Sequence, residues 1–98
     1  MTIEIKKSAD ATTIALAGRL DTTTAPELEQ IIIEVHAEAK NLVIDLKNLE
    51  YISSAGLRVL LGAQKKMMKI GTMKITNVSE EVMEVFDMTG FTDILTIE

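Results

Sequence analysis

Apolar residues recur along this chain with two alternating periods, one of two residues and one close to four, and this alternation restricts the fold more than any other feature of the sequence. Ile3 and Ile5 alternate with charged residues, and Ile14, Leu16 and Gly18 resume the two-residue period after the polar stretch Ser8 to Thr13. Two strands joined by a turn are expected there. Leu28, Ile31, Ile32, Val35 and Ala39 then fall at helical spacing, with His36 at the margin of the stripe and Ile33 outside it. Thr24 is placed to cap this helix and Glu27 to complete a capping box, while Pro26 is tolerated in the first turn.

Leu42 to Leu46 is a short β-branched run that reads as a buried strand, followed by a loop from Lys47 to Ser53. A second helix is predicted from about Ser54 to Ile70, ended by Gly71 in the left-handed conformation common just past helix ends. Met73 to Thr76 gives another strand. Ser79 caps a short helix with Glu80 and Glu81 in its first turn, Gly90 ends it, and Ile94 to Ile97 reads as a final strand. The expected fold is therefore α/β: a single-layer mixed β-sheet of about five strands with about three helices, in the order β-β-α-β-α-β-α-β. No linker, repeat or low-complexity segment interrupts it, so residues 1–98 are expected to form one domain.

Composition removes several function classes. Only Phe86, Phe91 and Tyr51 are aromatic, which points to an aliphatic core with methionine filling irregular gaps. The formal net charge of -5 argues against nucleic acid as a partner, because phosphate-backbone binding needs clustered Lys and Arg, and Lys65, Lys66 and Lys69 read as a solvated helix face. The chain has no cysteine and one histidine, His36, so neither a thiolate metal site nor a recognisable histidine triad is legible. Gly56 and Gly62 do not satisfy the spacing of a nucleotide-phosphate loop and read instead as sites of close helix packing. No catalytic residue, metal or cofactor is expected, and the protein is not expected to be an enzyme. Met1 to Ser8 lacks an apolar signal region, and no stretch approaches the ~20 apolar residues of a membrane span, so a cytoplasmic protein without membrane insertion is expected.

The informative segment is Leu42 to Leu61, LVIDLKNLEYISSAGLRVLL, where a buried strand leads to two serines at a helix start. In open α/β sheets, ligands and modifications gather beyond the carboxyl ends of strands. A hydroxyl at a helix N-terminus is suited to phosphorylation, because free backbone N–H groups and the positive end of the dipole favour the phosphate. A plain serine cap accounts for the same residues. The helix that follows has apolar residues, among them Leu57, Leu60, Leu61, Met67 and Met68, over an arc of about 200° at ~100° per residue. A helix lying on a sheet needs a stripe of only roughly 100°. The excess is either exposed, as an adaptable surface beside the serines, or covered by a neighbouring helix; on the first reading Leu57, Leu61, Gln64 and Met68, with Arg58 outside the arc, are the expected partner-binding residues, and Gln64 marks where the face reaches water.

YISSAGLRVLL, together with GRLDTTTAPEL at residues 18 to 28, resembles the sulphate-transporter and anti-sigma-factor-antagonist (STAS) domain, and the order of elements over nearly the whole chain is similar as well. The resemblance implies a STAS-like fold and a stand-alone bacterial anti-sigma-factor antagonist. Such a protein is a phosphorylation-controlled switch that sequesters an anti-sigma factor serine kinase when unphosphorylated and releases it when phosphorylated. A serine phosphatase of the protein phosphatase 2C type is the implied second partner. In the family the loop reads Asp-Ser-Ser/Thr-Gly, and the first serine after the aspartate is phosphorylated. Carried over, this serine falls on Ser54 and the glycine on Gly56, while Ser53 stands where aspartate is often found and Ala55 where a second hydroxyl is common. Asp21 matches a family position near the phosphosite, with Thr22 beside it, although a turn or cap role explains Asp21 equally well. A constitutive STAS interaction subunit of a transport ATPase or another signalling complex is the alternative reading of the same fold.

Overall fold

The computed structural model describes residues 1–36 and 38–98, the side chain of His36 excepted, so the place expected for His36 beside the first helical stripe lies outside the described residues. Strands β1 (Thr2–Lys7) and β2 (Thr12–Leu20) form the expected antiparallel pair, with Ser8 and Ala11 closing the turn through a 2.9 Å backbone bond. β2, β3 (Asn41–Ile52) and β4 (Thr72–Thr76) follow in parallel, giving one mixed four-stranded sheet in the order β1-β2-β3-β4. Helices α1 (Ala25–His36) and α2 (Ser54–Ile70) are the crossovers between the parallel strands, and α3 (Glu80–Thr89) follows β4. No helix among the described residues is long and apolar enough to cross a membrane.

The register explains the core. Ile5, Ile14, Ile44 and Ile75 lie in one row across the strands, and the helices bury Ile14, Ile44 and Ile75 with Leu28, Ile32, Leu60, Met67 and Phe86, while Ile5 on the edge strand stays exposed. The next row, Glu4, Ala15, Asp45 and Thr76, points to the other face, where residues remain exposed or half-buried. Aliphatic side chains dominate the interior, as the scarcity of aromatics implies, with Phe86 its one fully buried ring.

Four local expectations are corrected. β3 does not stop at Leu46 but continues to Ile52, because two irregularities let it keep pairing with β2: Ala15 and Ala17 pair with Asp45 and Asn48, and Gly18 and Arg19 with Leu49 and Tyr51. Each places an extra residue in β3, as a β-bulge does, and Asp45 Oδ1 takes the N–H of Lys47 at 2.9 Å. Ile94 to Ile97 is not a fifth strand. The N–H groups of Ile94 and Leu95 bond to the carbonyl of Phe91 after a short 3-10 turn (Phe91–Asp93), leaving only Ile97 to bridge Ile75.

Gly71 ends α2 where expected, but in an extended conformation (φ 176°) rather than a left-handed one. Glycine is needed there because a Cβ would collide with the carbonyl oxygen of Lys40. The cap of α1 also differs. Thr24 Oγ1 accepts from Asp21 N at 2.8 Å and donates to Arg19 O at 2.8 Å, while Asp21 Oδ1 accepts the N–H of Thr24, the group that Glu27 would have taken in a capping box. The α3 boundaries agree with expectation: Ser79 Oγ accepts from Val82 N at 3.3 Å, and Gly90 is left-handed at φ 78°.

Candidate functional site

β2 and β3 end side by side, with Leu20 paired to Ile52, and each runs directly into a helix. Ser53 N donates to Leu20 O at 2.9 Å, so the strands stay joined up to the last residue before α2. Gly56 lets the first turn of α2 settle on this joint: a Cβ there would stand 2.7 Å from Leu20 Cγ and 3.0 Å from Ile52 Cγ1. The packing role expected of Gly56 is thus observed. Gly62 has open space around its Cα and no such role.

The two serines divide the work that the sequence left open between them. Ser53 is the N-cap: its backbone is extended, its Oγ accepts from Gly56 N at 3.4 Å and its carbonyl accepts from Leu57 N at 2.9 Å. Ser54 is the first helical residue, exposed, and its hydroxyl has no protein partner among the described residues. Serine is among the best N-cap residues, comparable with aspartate, and caps α2 here without adding a negative charge.

Asp21 supports the neighbouring turn. Its Oδ1 accepts from the Thr23 hydroxyl at 2.7 Å and from the N–H groups of Thr23 and Thr24 at 3.1 and 3.2 Å. The Thr23 hydroxyl is the largest cause holding the carboxyl below the ordinary aspartate range, and with the other donors it outweighs the opposing effect of partial burial. Thr22 is exposed and lines a shallow cleft of about 270 Å³ between the starts of α1 and α2, together with Pro26, Glu29, half-buried Ala55 and exposed Arg58. The structure therefore brings Thr22, Ser53, Ser54, Ala55, Gly56 and Arg58 to one end of the sheet, with Asp21 anchoring the turn beside them.

The expected partner surface is reduced. Leu57 and Gln64 are both 4 % exposed, Leu57 because α2 packs on the strand ends and Gln64 because its Oε1 turns inward to accept from Thr96 N at 3.4 Å. Neither offers a surface, and Gln64 does not mark where the face meets water. Met68 is 71 % exposed but lies fourteen residues from Ser54, about 21 Å along the helix at 1.5 Å per residue. It borders the larger cleft at the other end of the sheet, about 630 Å³, which also includes Asn41, Thr72 and Glu98. Leu61 is half-buried, and Arg58 alone of the expected set is exposed beside Ser54.

Sequence reading missed the pair Arg19 and Tyr51. They are cross-strand neighbours one residue before Leu20 and Ile52, with the guanidinium 4.2 Å from the ring centroid and Arg19 Nε 3.9 Å from Asp21 Oδ2. Only the bulged register of β3 reveals the pairing. Among the described residues no cluster of His, Asp or Glu is placed to hold a metal ion.

The STAS domain matches this chain over residues 2–98. An anti-sigma-B factor antagonist of Bacillus subtilis is 32 % identical over 96 residues, covering 97 % of this chain and 88 % of the relative. The crystal structure of an anti-sigma factor antagonist from Mycobacterium paratuberculosis superposes with a TM-score of 0.90 at 27 % identity, covering 98 % of this chain and 83 % of that one. The Bacillus cell fate determinant SpoIIAA in its phosphorylated form shares the fold, with a TM-score of 0.78 at 17 % identity over 99 % of this chain and 91 % of its own.

Proposed function

The chain belongs to the STAS domain family, and from that premise we propose that it is an anti-sigma-factor antagonist controlled at Ser54. Unmodified, it binds and holds an anti-sigma serine kinase. Phosphorylated at Ser54, it releases the kinase, and a serine phosphatase of the protein phosphatase 2C type restores the binding form. The observation that carries this reading is the separation of roles at the helix start: Ser53 caps α2, which leaves the exposed Ser54 hydroxyl free of structural duty.

The physical logic follows from that placement. A phosphoserine adds about -1.5 to -2 charges near neutral pH, and at the first helical position it meets the positive end of the α2 dipole, so the fold tolerates it. Buried in a protein contact, the same charge has to be desolvated or matched, and a loss of about 3 kcal/mol there weakens binding roughly a hundredfold. The relatives are named for a regulatory role rather than a catalytic one.

Incubation with the host's anti-sigma kinase and ATP, followed by mapping of the phosphate, tests the assignment. Label on Ser54 that disappears in Ser54→Ala supports it, and label that persists in that variant or maps to Ser53 rejects it. Calorimetry of both forms against the ADP-bound kinase tests the switch. Equal affinities would reject it and favour a constitutive interaction subunit.

A further inference from the structure

We propose that Arg58 is the internal counter-ion of phosphorylated Ser54, so that modification draws its guanidinium onto the first turns of α2. The inference rests on the reading of Ser54 as the phosphoacceptor. Ser54 is already helical, and Arg58 follows it by four residues in the same helix. Side chains at this spacing share a face, with Cβ atoms about 6 Å apart, and an acidic group N-terminal to a basic one is the favoured orientation.

Both side chains are exposed, and Arg58 has no ion pair or hydrogen bond among the described residues. The other arginine at this end of the sheet is committed: Arg19 stacks on Tyr51 and faces Asp21. Lys65, the next cation along α2, is eleven residues from Ser54, about 16 Å at 1.5 Å per residue. Glu29 of α1 lines the same cleft as Arg58 but lies beyond ion-pair distance of it.

The helix end meets only part of what a phosphate needs: Ser53 already occupies the N–H of Gly56 with its hydroxyl and that of Leu57 with its carbonyl, which leaves the neutral N–H groups of Ser54 and Ala55 and no positive charge beyond the dipole. The planar guanidinium fork suits a phosphate, which it can bind through two parallel charge-assisted bonds. A neutral serine hydroxyl gives Arg58 no such partner, so the pair exists only after modification. Phosphorylation then has two effects at one place: it adds an anion and withdraws the exposed cation beside it from any partner.

The test uses the full chain with phosphoserine installed at position 54 by chemical ligation, carrying either Arg58 or Arg58→Gln. Phosphorus NMR titration should give a second phosphate pKa lower by roughly 0.2–0.4 unit when Arg58 is present, the size expected of an exposed helical pair. The Arg58 Nε–H resonance should shift on phosphorylation. Equal pKa values together with an unmoved Arg58 resonance would overturn the proposal. Because the phosphate is installed chemically, this outcome is independent of whether a kinase modifies Ser54, which the labelling experiment decides separately.

Discussion

Gly56 and Gly62 lie on the same helix, and replacing each by alanine should move stability in opposite directions. At Gly62 a new Cβ meets nothing within 4 Å, so Gly62→Ala collects the helix-propensity gain of about 0.8–1.0 kcal/mol. For a chain of 98 residues that raises Tm by roughly 3–8 °C. At Gly56 the Cβ would stand 2.7 Å from Leu20 Cγ and 3.0 Å from Ile52 Cγ1. Leu20 is fully buried and Ile52 only 3 % exposed, so neither can swing into solvent. Overpacking of this kind costs about 1–3 kcal/mol. Contacts this close to buried side chains put the cost in the upper part of that range, about 2–3 kcal/mol, so after the propensity gain a net loss of about 1–2 kcal/mol remains and Tm should fall by roughly 4–16 °C. Thermal unfolding by far-ultraviolet circular dichroism, with urea titration to confirm an unchanged slope, measures both. The shift at Gly56 also lifts the turn that carries Ser54, so labelling at Ser54 should drop even at temperatures where the variant is folded. A Gly56→Ala protein as stable as the parent, or a Gly62→Ala protein less stable, would refute the packing argument.

The serines should separate in the same assay: Ser53→Ala loses about 1 kcal/mol with the cap, Ser53→Asp keeps it, and Ser54→Ala leaves stability nearly unchanged while losing the label. Leu60→Ala should cost about 2–5 kcal/mol because Leu60 is fully buried, whereas Met68→Ala at an exposed site should stay within about 0.5 kcal/mol by chemical denaturation. The folded pKa of Asp21 is lowered, so its contribution to stability is present above the unfolded value near pH 4 and is lost as pH falls through the lower folded value. Asp21→Asn should therefore flatten the acid limb of the stability profile, and an unchanged limb would count against the Thr23 and Thr24 contacts as its cause.

The helices were legible because their signals are local. The bounds of α2 and α3 follow from a serine before and a glycine after an apolar stripe, and the same locality gave the hairpin of β1 and β2. What was hidden depends on contacts between distant residues. In β3 the buried positions run Ile44, Leu46, Leu49 and Ile52, so the spacing changes from two to three where the bulges lie. That pattern fits neither regular period, which is why Lys47 to Ser53 resembled a loop. Gly71 answers to Lys40, far away in sequence, and Gln64 is buried because Thr96 supplies a donor. At the site, resemblance located Ser54 and Gly56, but only the backbone at Ser53 separates the cap from the free hydroxyl.

The sheet's second face, with Glu4, Ala15, Asp45 and Thr76 in a row and no buried side chain among them, has a practical use. Because the chain contains no cysteine, a single cysteine in place of Glu4 gives one attachment point for a fluorophore or spin label. It lies on the edge strand, turned away from the core and from the helix that begins at Ser54. Such a probe would report tumbling and complex formation while leaving the helical side of the molecule chemically untouched.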